Sequence, residues 1–501
     1  MHALNSAPDH TITEARDSRW PALIVLCVGM LMIILDSTIV NVALPSIQGD
    51  LGFSTPSLAW VVNAYLIAFG GLLLLAGRLG DLVGRRRVFL SGLMLFTVAS
   101  LLCGLAQSQE MLIVARFVQG VGGALTSAVI LGMIVTMFPE PAEQGKAIGV
   151  FSFVASAGAS IGLLAGGVLT QVINWHWIFF VNIPIGIVTA LLARRLVVDD
   201  PGIGLRRGAD VLGAILVTGA LMLGVYTILE TGSHGWASAH TLGFGASSIA
   251  LLLAFVAREA RALTPLIPLH VFRSHNLSGA SLVQALMVAG LFGMFFLGVL
   301  YLQRVLGYDA VETGLAFLPV SGLIGLLSLG FSARLNLRFG AQATLVPGLV
   351  LVLAALLWFA RVPVDGSYLV DVLPVMVLLG TGGGLAFPAV TTLAMSGATP
   401  SESGLASGVV NTSLQVGGAF GLALLASLAI GRTESLQAGG EQAAAALVGG
   451  YHFAFFVAAG LVVGAIGLAL AVLRPEAVAA EQVREAAQRR TALEPAYADA
   501  A

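Results

Sequence analysis

Charged residues are scarce in this 501-residue chain: Asp, Glu, Lys and Arg make up 10% of it, against 57% hydrophobic residues. A soluble globular protein carries about 25% charged residues, so the composition excludes that class. The chain has only two cysteines, Cys27 and Cys103, and both lie in apolar runs, which excludes a disulfide framework and a paired-cysteine metal site. The formal net charge is -2 and no basic tract exceeds three residues, so we expect no nucleic-acid partner.

Long apolar runs fill the chain instead. A membrane-spanning helix needs about 20 mostly apolar residues, and the sequence predicts fourteen such helices. They cover 21–45, 57–77, 88–106, 111–135, 145–170, 177–197, 210–230, 241–257, 277–302, 313–332, 344–360, 369–395, 404–430 and 451–473. No small-residue cleavage site follows the first polar segment, so we expect an uncleaved first span rather than a signal peptide.

The positions of the basic residues agree with this count. If the N-terminus is cytoplasmic, most of the 24 Lys and Arg residues fall in cytoplasmic segments, as the positive-inside rule requires. The exceptions are Arg116 inside a helix and Arg304, Arg361 and Arg432 in external segments. We therefore predict a multi-pass protein of a bacterial inner or plasma membrane, with both termini cytoplasmic.

The chain also repeats itself. Arg78 followed by Gly84 recurs as Arg334 followed by Gly340, each pair after an apolar run on the predicted cytoplasmic side. This echo predicts an all-α integral membrane protein of two six-helix bundles plus two extra helices, with a binding site between the halves. The predicted domains are a cytoplasmic tail at 1–20, an N-terminal six-helix bundle at 21–197, two inserted linker helices at 198–270, a C-terminal six-helix bundle at 271–475, and a cytoplasmic tail at 476–501.

Two ionisable residues, Asp36 and Arg116, lie deep inside predicted helices, where charges are costly and mark function. Asp36 is about 14 Å from the external end of its helix, and Arg116 is about 8 Å from the external end of helix 4, at 1.5 Å per residue. The two side chains can therefore meet in the external half of the membrane. Burial favours the neutral acid and a nearby arginine favours the carboxylate, a balance suited to a proton carrier. The alternative is a static structural ion pair.

Several motifs resemble one known family. They are LDSTIVNVALPSI (35–47), GRLGDLVGRRR (77–87), ARFVQGVGGA (115–124), NWHWIFFVNIPIG (174–186), LYLQRVLGYDAVETGLAFLP (300–319) and GLASGVVNTSLQVGGAFG (404–421). Together they are similar to the major facilitator superfamily, and specifically to its fourteen-helix drug:proton antiporter branch. The resemblance covers nearly everything between the two tails and implies the major facilitator fold.

The resemblance implies roles for three groups of residues. Asp36 and Arg116 correspond to the acid and the arginine tied to proton coupling. The cytoplasmic gating loop is matched by Gly77, Asp81, Gly84 and Arg85. The packing motif of helix 5 is matched by Gly158, Gly162, Gly166 and Gly167, which fall largely on one face. Leu163 stands where the family usually has a proline, which weakens the case for antiport.

The gating loop also has a physical interpretation. The side chain of Asp81 is able to dock on the positive end of a helix from the other half, and helix 13, which starts near Gly404, is the candidate. The alternative for Arg85, Arg86 and Arg87 is that they only orient the protein in the membrane. The two roles are compatible.

The substrate is predicted from the polar residues carried on the helices. The candidates for lining a cavity are Asn41, Asn63, Tyr65, Gln119, Gln284, Asn411 and Gln415. An apolar cavity with few polar groups suits amphipathic small molecules. Because Asp36 is the only deep carboxylate, monocations, neutral compounds and zwitterions are favoured over dications.

These patterns predict a proton-coupled multidrug efflux transporter that works by alternating access and acts as a monomer in the lipid bilayer. The first alternative is a dedicated exporter of one metabolite, lipid or antibiotic. The second is a membrane sensor or scaffold that transports nothing. An enzyme is disfavoured, since no nucleophile–base set, metal-spaced cluster or nucleotide motif occurs; we expect no metal and no cofactor. A periplasmic adaptor is a further candidate partner.

Overall fold

The structure is a computed structural model that describes residues 10–199, 201–202, 204, 208, 210–262, 264–396 and 403–474. Every regular element within these ranges is a helix. The predicted tail 476–501 and the first nine residues lie outside the described residues. The first helix begins at His10, so the rest of the predicted N-terminal tail continues into it.

The helices fall into three consecutive parts of the chain. The first part of the chain contains α1 (His10–Leu51), α2 (Thr55–Val83), α3 (Arg85–Gly104), α4 (Gln109–Met137), α5 (Pro141–Val172), α6 (Trp177–Phe180) and α7 (Asn182–Leu196). The middle part contains α8 (Val211–Leu229), α9 (Thr231–His234), α10 (Ala239–Glu259) and a 3-10 turn (Leu269–Arg273). The last part contains α11 (His275–Leu300), α12 (Ala310–Leu326), α13 (Ser332–Phe339), α14 (Ala341–Phe359), α15 (Leu373–Ser396), α16 (Ser403–Ala438) and α17 (Ala443–Ala471).

Three π-helical turns interrupt or precede these helices, at Tyr301–Val305, Leu327–Phe331 and Tyr368–Val372. In the described ranges, 12 helices are long and apolar enough to cross a membrane. Two shorter apolar stretches, Ile161–Val172 and Ala310–Leu326, lie where the other two spans are predicted. All fourteen predicted spans thus fall on helical segments.

The helices pack as two bundles joined along two seams. In the first bundle α1 packs on α5 and α7, and α4 packs on α2 and α3. In the second bundle α11 packs on α16 and α17, and α14 and α12 pack on α15. The seams are α2 against α16 and α5 against α12, and α8 of the inserted pair touches both α2 and α16. The fold is therefore an all-α membrane fold of two bundles with two extra helices.

The repeat seen in the sequence has a backbone basis. Gly84 ends α2 with φ 110° and Gly340 ends α13 with φ 90°. In each bundle this glycine lets the chain turn and begin the next helix one residue later. A residue with a side chain is strained in that conformation.

We expect Gly84→Ala to destabilise the protein by about 1–3 kcal/mol, because the Cβ meets the neighbouring backbone at positive φ. The melting temperature of the purified protein measures this loss. Gly77→Ala is the matched control, since a Cβ there would meet open space in α2 and alanine favours a helix by up to about 1 kcal/mol. Equal melting temperatures for both variants would contradict the expected strain.

Candidate functional site: a buried charge network in the first bundle

The centre of the first bundle holds a buried ion pair. Asp36 on α1 and Arg116 on α4 are both 0% exposed, and Nη1 of Arg116 donates to Oδ2 of Asp36 at 2.6 Å. The guanidinium is fixed from two other sides. Its Nε donates to the carbonyl oxygen of Val61 on α2 at 2.9 Å, and its Cζ lies 4.4 Å from the centre of the Tyr65 ring, a cation–π distance.

Two amides complete the shell of the carboxylate. Gln119 on α4 and Asn182 on α7 donate to Oδ1 of Asp36 at 2.7 and 2.9 Å. Both amides also donate to the hydroxyl of Ser100 on α3, at 3.2 and 3.0 Å. Four helices of one bundle thus hold one carboxylate. The sequence predicts Asp36, Arg116 and Gln119 as site residues but misses Ser100 and Asn182.

The two charges of the network are buried and paired with each other. A buried charge is tolerated only when it is paired and hydrogen-bonded, and the Asp36 carboxylate has three side-chain donors. Nη2 of Arg116 has no hydrogen-bond partner within the described residues. Neutralising Asp36 would therefore leave a buried guanidinium that is already incompletely bonded without its charged partner.

The predicted gating loop joins four helices at the predicted cytoplasmic end. Nη2 of Arg85 lies 3.2 Å from Oδ1 of Asp81. Nη1 of Arg85 donates to the carbonyl oxygen of Gly132 on α4 at 3.1 Å. Arg86 donates to the carbonyl oxygen of Arg194, and Arg87 pairs with Asp199 at 3.3 Å. The arginines therefore tie α2, α3, α4 and the end of α7 together, which is more than orientation alone requires.

The seam between α2 and α16 is closely packed. A Cβ on Gly70 would lie 2.7 Å from Cβ of Gln415, and one on Gly408 would lie 2.5 Å from the Leu74 side chain. The Thr412 hydroxyl donates to the carbonyl oxygen of Gly70 at 3.3 Å. The two helices run antiparallel, because higher numbers on one meet lower numbers on the other.

This register bears on Asp81. It follows Leu74 by seven residues, about two helical turns, and so lies on the same face of α2. Moving along α2 from Leu74 towards Asp81 leads towards the start of α16 at Ser403. Contact between Asp81 and the helix that starts near Gly404 stays a prediction.

The helix-5 glycines divide between two neighbours. A Cβ on Gly158, Gly162 or Gly166 would meet α1, at distances of 2.9, 2.0 and 2.6 Å from its nearest atoms. A Cβ on Gly167 would instead lie 2.5 Å from the carbonyl oxygen of Ala310 on α12. Three glycines thus close the first bundle, whereas Gly167 lies on the seam between the bundles. The expectation of one shared face holds for the first three.

The other cavity candidates fall into two groups. Asn63 and Tyr65 on α2 and Gln284 on α11 are buried, and each has a side-chain polar atom without a partner within the described residues. Asn41 and Asn411 instead bond to carbonyl oxygens of their own helices. Of the candidates, the structure brings Gln119 into the Asp36 network by hydrogen bonds and Tyr65 by the contact of its ring with Arg116.

His176 is a titratable residue next to the predicted external surface. Its ring stacks on Trp175 at 3.8 Å, and Nε1 of Trp175 donates to Asp50 at 2.9 Å. Burial lowers the pKa of His176, and the charge of Asp50 opposes that shift. Folding therefore favours neutral His176: the contribution to stability is fully present above the ordinary pKa of histidine and is lost as the pH falls from there through the lowered pKa.

Two helical bundles with a buried, hydrogen-bonded ion pair between spanning helices define a class, the secondary membrane transporters. Comparison with known proteins gives the family. Residues 26–422 match the model of the Major Facilitator Superfamily, and the chain belongs to this family. It is a multi-pass membrane transporter of small molecules, not an enzyme.

Similar proteins are found among both sequences and solved structures. A puromycin resistance protein of Streptomyces alboniger is 40% identical over 89% of each chain. A cephamycin export protein of Amycolatopsis lactamdurans is 37% identical over 85% of this chain and 88% of that one. The crystal structure of a bacterial homologue of the human lysosomal transporter Spinster, inward-facing and unoccupied, has a TM-score of 0.65 at 15% identity, covering 90% of this chain and 96% of that one. That likeness concerns the fold.

Proposed function

We propose that this transporter exports amphipathic small molecules in exchange for protons, with Asp36 as the proton carrier. The observation that carries the proposal is the placement of one carboxylate, wholly buried, between Arg116 and two amide donors. A carboxylate in such a setting changes its charge only when its contacts change, which links protonation to the arrangement of the helices.

The proposed direction of transport rests on the names of two similar proteins. The proteins at 40% and 37% identity are named for puromycin resistance and cephamycin export. We propose the same direction of transport here, from the cytoplasm outwards, across a bacterial inner membrane with both termini inside. The excess of basic residues in the segments between spans on the Gly84 side supports this orientation.

The gating role proposed for the Gly77–Arg87 loop rests on the α2–α16 seam. Asp81 shares the face of α2 that packs on α16, and Arg85 anchors the end of α2 to α4. Closing the cytoplasmic side would bring Asp81 to the positive end of α16. Opening it would separate α2 from α16 there.

The transporter accepts either many substrates or one, and each possibility has an observation in its favour. A multidrug exporter is favoured by the apolar residues around few polar groups, such as Asn63, Tyr65 and Gln284. A dedicated exporter of one antibiotic is favoured by the two relatives described above, whose names give puromycin and cephamycin. We expect a functional monomer, and a periplasmic adaptor is a further candidate partner.

A substrate screen tests the function and its breadth. The chain would be expressed in cells that lack their own drug exporters, and accumulation would be measured for lipophilic monocations, neutral amphiphiles, dications and puromycin. Reduced accumulation of several unrelated monocations and neutral compounds is the expected result. A response to one compound alone would replace the multidrug proposal by the dedicated exporter, and no response to any would favour the sensor or scaffold.

Asn182→Leu tests the network itself. The carboxylate of Asp36 loses one hydrogen bond, which favours its protonated form, so we expect the pH dependence of transport to move to higher pH. A hydrogen bond to a charged group is worth about 1.5–3 kcal/mol, so the expected shift is roughly one to two pH units. Asn41→Leu is the control, because that amide bonds to its own helix. An unmoved profile for Asn182→Leu would remove this residue from the proton site.

A further inference from the structure

A groove lies at the predicted external end of the second bundle, away from the ion pair. It forms between the end of α14 and the π-helical turn Tyr368–Val372, and its volume is about 480 Å³. Ligand sites have volumes of roughly 300–1,000 Å³. Its lining residues are Ala354, Leu357, Trp358, Arg361, Val362 and Asp371.

The lining changes from apolar to charged along one face. Ala354, Leu357 and Trp358 follow the helical spacing i, i+3, i+4 on α14, so they form one row. Arg361 follows two residues after the helix ends. The apolar row points towards the middle of the membrane.

Two opposite charges face the charged end of the groove. Arg361 is exposed, and Asp371 is partly buried and accepts the backbone N–H of Ser367 through Oδ2 at 2.7 Å. Within the described residues the two side chains form no salt bridge with each other. The positive charge of Arg361 and the negative charge of Asp371 therefore do not neutralise each other. Together they are complementary to a group that carries a negative and a positive charge side by side.

The side chains around the groove indicate that it lies in the head-group region of the bilayer. Three large apolar side chains at this end are exposed: Trp358 by 46%, Leu369 by 70% and Val370 by 64%. Tryptophan is typical of the interface between hydrocarbon and head groups. Apolar side chains that border two charges fit the head-group region of a bilayer better than open water.

We propose that this groove binds a phospholipid whose head group carries a phosphate and a primary ammonium. The guanidinium of Arg361 donates hydrogen bonds to the phosphate, for which its planar geometry is suited. The carboxylate of Asp371 accepts from the ammonium. One acyl chain lies along Leu357 and Ala354. The lining of the groove includes neither Asp36 nor Arg116.

The test uses the purified full-length protein in detergent, with binding measured by native mass spectrometry and by the melting temperature. Three lipids with identical acyl chains are compared. Phosphatidylethanolamine has both groups, phosphatidylcholine has no N–H on its ammonium, and phosphatidylglycerol has no ammonium. Soluble phosphoethanolamine forms a fourth arm. The variants are Arg361→Gln and Asp371→Asn, and Asp365→Asn, an exposed neighbour, is the control.

The expected result is tighter binding of phosphatidylethanolamine than of phosphatidylcholine to the wild type, by about tenfold, as for the loss of one charge-assisted hydrogen bond. Asp371→Asn should abolish this preference, Arg361→Gln should weaken all three lipids, and Asp365→Asn should change neither. Equal binding of all lipids to the wild type would overturn the proposal, as would a preference that survives both variants. An equal effect of soluble phosphoethanolamine would overturn the lipid as the occupant.

Discussion

Asp36→Asn is expected to reduce proton-driven export to the background level of cells without the transporter. Asparagine keeps the shape of the side chain but cannot bind and release a proton in the physiological range. Because Asp36 is the acid in the network that joins α1, α3, α4 and α7, no neighbouring acid replaces it there. The rate of substrate efflux driven by an imposed pH gradient measures the effect.

The same variant should also lose stability. Removing the negative partner leaves the guanidinium of Arg116 buried without a compensating charge, which costs about 3–5 kcal/mol. Loss of transport by this variant alone does not distinguish an inactive protein from an unfolded one, so a second variant is needed. Asp36→Asn combined with Arg116→Gln removes both charges, and we expect it to recover melting temperature without recovering transport.

A control variant distinguishes the loss of the proton site from the loss of an acidic charge elsewhere. Glu441→Gln removes one acidic charge from the exposed connection between α16 and α17, and it should retain wild-type transport. Proton-coupled export by the folded double variant would show that Asp36 is a structural ion-pair partner. That outcome would favour a static structural ion pair over a proton carrier.

Gly167→Ala is expected to open the α5–α12 seam. The added Cβ would lie 2.5 Å from the carbonyl oxygen of Ala310 and 2.9 Å from Cα of Val311. Both are backbone atoms of the other bundle, so the clash is relieved only when α5 and α12 separate. Overpacking costs about 1–3 kcal/mol, which corresponds to roughly a 5- to 150-fold change in the ratio of two conformations.

Gly162→Ala provides the contrast. Its Cβ would lie 2.0 Å from the Thr38 hydroxyl and 2.9 Å from the carbonyl oxygen of Leu35, and both belong to α1 of the same bundle. This variant should lower the melting temperature and leave the seam closed. Gly460→Ala on α17, where a Cβ would meet open space, should do neither.

Spin labels measure the seam directly. Val168 on α5 and Leu315 on α12 are exposed, by 41% and 48%, and cysteines placed there would carry the labels. Cys27 and Cys103 are buried and should not react in the folded protein. We expect a longer label distance in Gly167→Ala only. An unchanged distance, or the same increase in Gly162→Ala, would mean that Gly167 does not control the seam.

The sequence predicts the helices well, because long apolar runs and the distribution of arginines report directly on the membrane. It also predicts the ion pair, since Asp36 and Arg116 are the ionisable residues deep in such runs. Ser100 and Asn182 were missed because a neutral polar residue in an apolar helix is not unusual. A signal for Asn182 existed: it lies within the run NWHWIFFVNIPIG that carries part of the family resemblance.

Other features depend on neighbours that the sequence does not identify. Periodicity places Gly158, Gly162 and Gly166 on one face but does not say that Gly167 meets α12. Asn41 and Asn411 bond to their own helices, a local alternative that competes with lining a cavity. The π-helical turn that shapes the groove beside Asp371 likewise has no clear sequence signature.

Proton movement on addition of substrate tests the central proposal most directly. Everted vesicles that contain the transporter would hold a preformed pH gradient, and a pH-sensitive dye would report its loss when a lipophilic monocation or a neutral amphiphile is added. We expect the gradient to fall with wild type and with Glu441→Gln, and to persist with the folded Asp36→Asn, Arg116→Gln variant. Substrate export by the wild type with no change in the gradient would contradict proton exchange through Asp36.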